Sequence, residues 1–588
     1  MRLDLRRFLM LVSAVALGSQ ARGQKTPDLR IDVGSPPGAT GSSAPSMAAD
    51  GASVYVAWSD DRNGLEDIYC NCSADGGATW LAADLRLDTG SAPGASRSTF
   101  PRIAAAGDAV YVVWGDERNG ASDIYLNRSL DRGASWLPAD VRRSDGYWPE
   151  IAASGPSVYV VWRDFRGAGD IFFNRSLDGG SSWLPADVRI DAGFFVTSGP
   201  ARIAASGASV YVTWAEYRNG PSLPSDILFN RSLDGGSTWL ASERRLDVGS
   251  APGVGDSFYP EIAASGSVVG VTWQDHRNGN MDDVYCNCSS DGGSTWLAQD
   301  VHLDLAAPAH VSQHPEIAVS GSSVYVAWME DVAGPHDIDL NRSLDGGVSW
   351  LTVPVRLDTG PDVAYSSSPT LVASGSAVYV TWADSPGGIS FNRSLDHGTT
   401  WLPSHRRIDL GPGGYPPMHP RIAVAGSSAY VAWIDFRDNP SFDNTHGAVY
   451  FDLALGFQRF GRGTPGTGGR VPTISGSGHT STGATFTVHV ANGRGGALGF
   501  LFVGTNGAAQ KSGLLLVQPP LLHVPFTLDG TPGAPGAGST SIAFPVPNDL
   551  TLLGTRLDFQ ARILDPGAPS RAVGRIVTLT AGLEAWIL

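Results

Sequence analysis

The stretch Asn230–Leu240, which reads NRSLDGGSTWL, occurs in seven closely similar copies along the 588-residue sequence. The copies share the kernel Ser-x-Asp-x-Gly-x-(Thr/Ser)-Trp. Its carboxylate and hydroxyl groups can bond to nearby backbone groups and its glycine allows a positive φ, so the kernel predicts a hairpin between two strands. Seven copies favour a structural role over a catalytic one. The kernel aspartates are Asp75, Asp131, Asp178, Asp234, Asp291, Asp345 and Asp396.

A longer repeat, with a period of about 50 residues, surrounds these hairpins. Each unit contains four short stretches rich in β-branched and aromatic residues, without helical periodicity, and such stretches are typical of strands. Four antiparallel strands per unit, repeated around an axis, predict an all-β protein with an eight-bladed β-propeller. The second stretch of each unit ends in a tryptophan, at Trp58, Trp114, Trp162, Trp214, Trp273, Trp328, Trp382 and Trp433.

The two ends of the repeat region are complementary. The eighth unit has only three predicted strands, ending at Val449–Phe451, and it lacks the hairpin kernel. Near the N-terminus, Asp28–Asp32 (DLRID) matches Asp84–Asp88 (DLRLD), which is the fourth strand of the first unit. Pairing the N-terminal segment with the last unit would hide two sheet edges. We therefore expect the propeller to span residues 28–452 and to be closed by its N-terminal strand.

The remaining segments have different compositions. Residues 1–23 combine arginines, a short apolar run and small residues, which predicts a secretory signal peptide and a secreted, cell-surface or periplasmic protein. No later segment is apolar enough for a transmembrane span. Residues 453–472 are predicted to be a Gly/Pro-rich linker. Residues 473–588 are predicted to form an immunoglobulin-like β-sandwich, acting as an attachment or sorting module or as a spacer.

Charge and cysteine content narrow the function classes. The net charge is −16, which argues against nucleic acid as a partner because phosphate binding needs cations. No cofactor is predicted. The cysteines form two Cys-Asn-Cys triplets, at Cys70/Cys72 and Cys286/Cys288, about 6.6 Å apart along a strand. Packing cysteines, or a local bridge formed after export, are favoured over a metal half-site, which no histidine cluster completes.

The hairpin kernel is similar to the Asp-box of the sialidase-like propellers, also called BNR repeats, and the resemblance covers residues 28–452. It implies carbohydrate chemistry, either hydrolysis or binding, on the face opposite the Asp-boxes. Sialidases have six blades and a sugar-binding arginine triad whose first member lies in an Arg-Ile-Pro motif. The nearest matches here, Arg102-Ile103 and Arg421-Ile422, are not followed by proline. No catalytic residue is therefore assigned.

The loops after the second strands repeat an Asp-x-Arg pair. Two interpretations remain open. The pairs can order the turns locally, which their recurrence favours, or the arginines can form a ring that binds carboxylates. The pairs are Asp60/Arg62, Asp116/Arg118, Asp164/Arg166, Asp275/Arg277 and Asp435/Arg437.

The entries to the first strands vary most between units and hold the ligand-binding candidates. Exposed rings beside charged groups are typical of sugar sites. Alternatively, arginine and glutamate on successive blades pair with each other, and the rings cap the packing between blades. The candidates are Arg102, Trp148, Glu150, Arg202, Tyr259, Glu261, His314, Glu316, His419 and Arg421.

The favoured function is recognition of an extracellular glycan or glycoprotein on the face opposite the hairpins. One alternative is an exo-glycosidase of the sialidase type with a rearranged site, in which Arg102, Arg202 and Arg421 would bind a carboxylated sugar. The other is a structural cell-surface protein. An enzyme needs two suitably spaced catalytic groups on that face, whereas a binding protein needs only an exposed aromatic platform.

Overall fold

The computed structural model describes residues 28–586 apart from several gaps, and every regular element in the described part is a β-strand. The main gaps are 165–168, 193–198 in part, 218–223, 305–310, 332–335, 360–364, 410–416, 439–446, 461–470, 479–484, 505–521, 546–555 and 566–576. The prediction of an all-β protein is confirmed. The predicted signal peptide lies outside the described residues.

Eight antiparallel sheets, which we number 1 to 8 along the chain, contain the repeats. Each has four strands in sequence order, except that the first strand of sheet 4 is split in two and that sheet 8 takes its fourth strand from the N-terminus. Sheet 1 comprises Ser42–Asp50, Ser53–Asp60, Asp67–Ser73 and Leu85–Arg86, and sheet 2 comprises Ser98–Ala106, Ala109–Asp116, Asp123–Ser129 and Val141–Asp145. Sheet 3 comprises Tyr147–Ser154, Ser157–Asp164, Asp170–Ser176 and Val188–Arg189. Sheet 4 comprises Val196–Thr197 with Arg202–Ser206, then Ser209–Tyr217, Asp226–Ser232 and Arg244–Arg245.

Sheets 5 to 8 repeat this order, and the last strand of sheet 8 comes from the N-terminus. Sheet 5 comprises Ser257–Ser265, Val268–Asp275, Asp283–Ser289 and Val301–His302, and sheet 6 comprises Val311–Ser320, Ser323–Asp331, Asp337–Ser343 and Val355–Arg356. Sheet 7 comprises Tyr365–Ser374, Ala377–Ser385, Gly388–Ser394 and Arg406–Arg407. Sheet 8 comprises Met418–Ala425, Ser428–Asp435, Ala448–Leu455 and Leu29–Arg30.

The N-terminal strand pairs with the third strand of sheet 8, with Leu29 opposite Phe451 and Arg30 opposite Tyr450. The Ile31 amide continues the ladder by donating to the Val449 carbonyl at 2.9 Å. Each first strand contacts the first strand of the next sheet, and that of sheet 8 contacts that of sheet 1. Contacts between first strands thus link each sheet to the next and sheet 8 to sheet 1.

Apolar side chains fill the spaces between successive sheets. All eight repeat tryptophans are fully buried. Between sheets 1 and 2, for example, Tyr55 and Ile68 pack against Val112 and Trp114. The second strands are buried on both faces because a neighbouring sheet lies on either side.

The seven hairpins between third and fourth strands share the hydrogen bonds made by the kernel aspartate and serine, and four of them, in sheets 1, 3, 6 and 7, add a bond from the tryptophan indole. In sheet 1, Asp75 accepts from the Thr79 amide at 2.8 Å and from the Thr79 hydroxyl at 2.9 Å. The Ser73 hydroxyl accepts from the Gly77 amide at 2.8 Å, and the Trp80 indole donates to the Gly77 carbonyl at 3.1 Å. These bonds satisfy the turn locally and account for the residue types of the kernel.

The kernel glycine of each hairpin packs closely against the preceding sheet. Gly347 has a φ of +95°, and a Cβ added to it would overlap the Cys288 side chain. We expect Gly347→Ala to lower the free energy of unfolding by about 2–5 kcal/mol, because strain at positive φ adds to overpacking. Gly321, with a φ of +59° and open space around it, is the matched control, and Gly321→Ala should cost only about 1–2 kcal/mol. Equal losses in urea denaturation would contradict the packing argument.

Seven of the first strands contain a residue with positive φ immediately before a proline. Its φ lies between 49° and 54° in each case, and six of the pairings shift register there. Such a β-bulge redirects the strand and turns the bulged side chain away from the sheet. We call all seven of these positive-φ residues bulge residues; they are Ala44, Phe100, Trp148, Tyr259, His314, Ser368 and His419.

The described chain divides into two compact units, one of residues 28–426 and 430–452 and the other mainly of residues 453–588. The second unit holds two antiparallel sheets around one apolar core. The larger has the strand order Phe457–Phe460, Gly582–Trp586, Arg556–Leu564, Leu498–Gly504 and Leu522–Thr527, with Val577–Leu579 also on Arg556–Leu564. The smaller comprises Thr473–Gly478, Thr485–Gly493 and Gly538–Pro545. The strand Phe457–Phe460 lies within the segment predicted as a linker.

Candidate functional site

The register of the sheets separates two ends. Ser42 pairs with Asp60, while Val54 pairs with Ser73 at the opposite end of sheet 1. The bulges and the loops after the second strands therefore lie at one end of each sheet, which we call the bulge end, and the seven hairpins lie at the other. All ten ligand-binding candidates are at or beside the bulges.

Four of these candidates form a continuous chain of ion pairs across sheets 2 to 5. The Glu150 carboxylate lies 2.8 Å from Arg102 Nε and 2.5 Å from Arg202 Nη1. Arg202 Nε in turn lies 2.8 Å from Glu261 Oε1. The two arginines are thus neutralised by neighbouring sheets. The interpretation in which charges on successive sheets pair with each other holds for this part of the molecule.

The chain of ion pairs does not continue into sheets 6 to 8. Burial, followed by the nearby charge of Glu261, raises the pKa of Glu316 to about 8. Arg421 Nε donates to the Pro45 carbonyl at 3.2 Å, and within the described residues no carboxylate lies in ion-pair distance of it. Thr370, at the same register position in sheet 7, has a buried hydroxyl for which the described residues supply no hydrogen-bond partner.

The repeated Asp-x-Arg pairs are saturated by protein groups. Arg62 lies 2.7 Å from both Asp60 and Asp84, and its guanidinium stacks on the Tyr69 ring at 4.0 Å. Arg118, Arg277 and Arg437 make the corresponding contacts in sheets 2, 5 and 8. These contacts agree with the local-pair interpretation rather than with a ring of ligand-binding arginines. Arg166 lies outside the described residues.

A cavity with a volume of about 300 Å³ lies at the bulge end, where sheets 1, 2 and 3 meet. We call it the Trp148 pocket. The bulge residues Phe100 and Trp148 are 50% and 38% exposed, so their rings are available to a ligand. The lining also includes Glu66, Arg97, Glu117 and Tyr147.

Polar groups in the Trp148 pocket are organised by Arg97. Its side chain pairs with Glu66 at 2.9 Å, and its carbonyl accepts from the Glu117 amide at 2.9 Å. Ser59, which also lines the pocket, is only 1% exposed, and the described residues offer its hydroxyl no hydrogen-bond partner. The pocket therefore combines aromatic faces with carboxylates and an unused hydroxyl.

A second cavity, of about 170 Å³, lies between sheets 4 and 5. We call it the Tyr259 pocket. Its lining includes the bulge residue Tyr259, which is 58% exposed, together with Tyr217 and Phe258. Arg202 and Asp256 supply charges. The two pockets share a plan, in which a bulge ring stands beside a carboxylate.

The structure thus distributes the sequence candidates among several places. Trp148 lines the larger pocket, and Arg202 and Tyr259 line the smaller one. His314 and His419 are exposed bulge residues that line neither pocket. Sequence reasoning missed Glu66 and Glu117 in the loops and Tyr147 and Tyr217 at strand ends. Among the remaining residues of the Trp148 pocket, Phe100 does carry a sequence signal, because it stands before a proline as Trp148 does.

One group of metal-ligand side chains lies elsewhere, in sheet 5. The ligand atoms of Asp283, His302 and Asp304 lie within 4.8 Å of one another. Burial disfavours the imidazolium, but the two carboxylates outweigh it and raise the pKa of His302 to about 9. Sequence reasoning overlooked this group, although His302 stands where other repeats have arginine.

The four cysteines are free and buried. The sulfur atoms lie 3.7 Å apart in Cys70/Cys72 and 3.6 Å apart in Cys286/Cys288. Burial, followed by the neighbouring thiol, raises the pKa of Cys70 and of Cys286. All four cysteines pack as small apolar side chains between the sheets.

No protein-family model matches the sequence, and no curated protein matches it. Among solved structures, a lectin from Burkholderia pseudomallei is similar over 62% of this chain and 98% of its own, at 13% identity and a TM-score of 0.40. An α-L-arabinanase from Penicillium chrysogenum covers 52% of this chain and 92% of its own, at 14% identity and a TM-score of 0.32. An α-L-arabinofuranosidase from Fusarium graminearum gives 13% identity and a TM-score of 0.32, over 52% of this chain and 91% of its own.

At these TM-scores the function has to be argued from the sites themselves. The described structure is an all-β protein of four-stranded antiparallel sheets with aromatic-lined pockets at one end. Within the described residues, there is no helix of the length and hydrophobicity that a membrane span requires.

Proposed function

We propose that this protein is an exported, eight-bladed β-propeller of the Asp-box type that binds glycans at its bulge end. The Trp148 pocket is the principal site. The observation that carries this proposal is the pair of exposed rings, Phe100 and Trp148, on neighbouring sheets beside a cavity of about 300 Å³. Aromatic faces suit the apolar faces of sugars, and a cavity of this size is in the range of small-ligand sites.

The charges of the pocket indicate the class of sugar. The pocket lining has two carboxylates, Glu66 and Glu117, but one cation, Arg97. Arg97 is already paired with Glu66. Of the three arginines that would bind a carboxylated sugar, Arg102 and Arg202 are paired with Glu150 and Glu261, and Arg421 lines neither pocket. These features support neutral glycans, whose hydroxyls donate to carboxylates, rather than sialosides.

A glycan array followed by calorimetric titration with the best neutral oligosaccharide tests the proposal. We expect Trp148→Ala to weaken binding by about tenfold or more, because stacking contacts are worth roughly 1–3 kcal/mol. Tyr365→Ala is the matched control, since Tyr365 is a 55% exposed ring on a first strand but lines neither pocket. Unchanged binding by Trp148→Ala, or equal loss in Tyr365→Ala, would rule out the Trp148 pocket.

Glycoside hydrolysis is the second candidate, because the same cavity is lined by two carboxyl groups, Glu66 and Glu117. A glycosidase needs such a pair. Turnover of fluorogenic neutral glycosides that disappears in Glu117→Gln, with glycan binding retained, would establish it. No turnover together with specific binding would leave recognition as the function.

We also propose that the protein is exported and that its second unit is a surface-attachment module or a spacer. Residues 1–23 have the composition of a signal peptide, and the sheets of residues 457–586 are suited to a surface-attachment module or a spacer.

A further inference from the structure

Seven of the eight sheets carry an arginine on the strand at their outer edge. Each of these arginines is ion-paired with one or two aspartates, for example Arg245 with Asp226 and Asp247 at 3.0 and 2.9 Å. Sheet 5 alone has a histidine, His302, at this place. The seven arginines are Arg30, Arg86, Arg142, Arg189, Arg245, Arg356 and Arg407.

In sheet 5 the imidazole faces two carboxylates. His302 Nε2 lies 2.5 Å from Asp304 Oδ1 and 3.7 Å from Asp283 Oδ1. The ring stacks on Tyr285 with centroids 4.7 Å apart and planes 7° apart. Stacking fixes the plane of the ring, so Nε2 stays directed at the carboxylates.

The outer oxygen of each carboxylate is held by a different donor. Asn278 Nδ2 donates to Asp283 Oδ2 at 2.8 Å, and the Val284 amide donates to Asp304 Oδ2 at 3.1 Å. The Oδ1 atoms are left facing His302. The Asp304 side chain is only 3% exposed, and among the described residues no group outside the cluster donates a hydrogen bond to its Oδ1. A buried carboxylate oxygen in this position is stabilised by positive charge, which either the protonated His302 ring or a bound cation can supply.

We propose that Asp283, His302 and Asp304 bind a divalent transition-metal ion, for which Zn²⁺ is the best match. One imidazole nitrogen and two carboxylate oxygens form a mixed donor set that suits Zn²⁺, whereas Ca²⁺ and Mg²⁺ prefer oxygen alone. The ligand atoms already lie within 4.8 Å of one another, so small side-chain rotations bring all three to about 2.0–2.2 Å from one ion.

The remaining features fit this role. Asn278 and the Val284 amide orient the two carboxylates, as the hydrogen-bond partners of metal ligands commonly do. His302 and Asp283 are partly exposed, at 32% and 16%, so an ion can enter from solvent and water can complete its coordination. The ion then takes the place that the guanidinium holds in the other sheets and joins the third strand of sheet 5 to the fourth.

His302→Arg is the sharpest test, because it gives sheet 5 the residue that seven other sheets have and removes one ligand. The full chain is stripped with a chelator and titrated with ZnCl₂ by calorimetry. We expect one high-affinity Zn²⁺ per wild-type chain and a rise in Tm of about 2–4 °C with Zn²⁺. His302→Arg should lose both while remaining folded. The four cysteines are shared by both proteins, so the difference reports this group alone.

Asn278→Ala is a second variant that keeps all three ligands. It should weaken Zn²⁺ binding by about 10–100-fold. His302→Gln replaces His302→Arg should the latter fail to fold. Mg²⁺ and Ca²⁺ should leave Tm unchanged. Equal Zn²⁺ binding by wild type and by the His302 variant, or none by wild type, would overturn the proposal and make His302 a charged substitute for arginine.

Discussion

Deleting residues 28–32 is expected to abolish the stable fold of residues 33–452. The deletion removes the strand Leu29–Arg30 and leaves the edge of Ala448–Leu455 without a partner. It also removes Ile31, which is fully buried, and leaves Arg437 without Asp28, which lies 2.7 Å away. Loss of the isoleucine side chain alone costs about 2–5 kcal/mol, comparable with the total stability of many domains.

The test compares the thermal unfolding of a chain that begins at residue 28 with that of a chain that begins at residue 33. The longer chain is the control, because it keeps every described strand. Ile31→Ala is the milder variant, and we expect it to fold with stability reduced by about 2–5 kcal/mol. A chain beginning at residue 33 that unfolds at the same temperature as the control would show that closure by the N-terminal strand contributes nothing.

Arg62→Ala is expected to destabilise the protein by about 3–5 kcal/mol, because it leaves two buried carboxylates without their cation. Asp60 and Asp84 are 0% and 1% exposed at the side chain. Urea denaturation at neutral pH measures the loss. The double variant Arg62→Ala/Asp84→Ala should recover part of it. Sheet 6 supports this expectation, since it has Pro354 at the position of Asp84 and no Asp-x-Arg pair in its sequence.

Acid should narrow the difference between Arg62→Ala and wild type. Burial raises the pKa of Asp60, but Arg62 outweighs burial and holds that pKa below 3.8. The stabilisation from this pair is therefore present above the usual aspartate pKa and is lost as the pH falls through the lower pKa of the folded state. A difference that stays constant from pH 7 to pH 3 would contradict the assignment of the loss to this ion pair.

The sequence predicts the sheets well because their signals are local and repeated. Strand runs such as Ser157–Asp164, and the match between Asp28–Asp32 and Asp84–Asp88, are visible without coordinates. Side-chain pairing between sheets is different. Arg102 and Glu150 are 48 residues apart, and only the common register of the first strands shows that they meet.

The pockets were harder to predict than the sheets. The Trp148 pocket takes Glu66 from one loop, Glu117 from the next and Trp148 from a third sheet. No regular spacing in the sequence shows that these three residues line one cavity. The bulges were also hidden, because a positive φ is uncommon for residues other than glycine and is disfavoured further before proline. Aromatic residues that stand before these prolines were recognised as candidates from the sequence. The positive-φ backbone that exposes their rings was not predicted.

The seven bulges are structurally equivalent positions at which the side chain can differ from sheet to sheet. Their backbone angles agree within a few degrees although the side chains range from alanine and serine to tryptophan. Because the strand pairing and the proline fix the local conformation, the residue itself is free to change without rebuilding the framework. New specificities can thus evolve, or be engineered, by exchanging single side chains at Ala44 or Ser368, much as antibody loops vary on a constant sandwich.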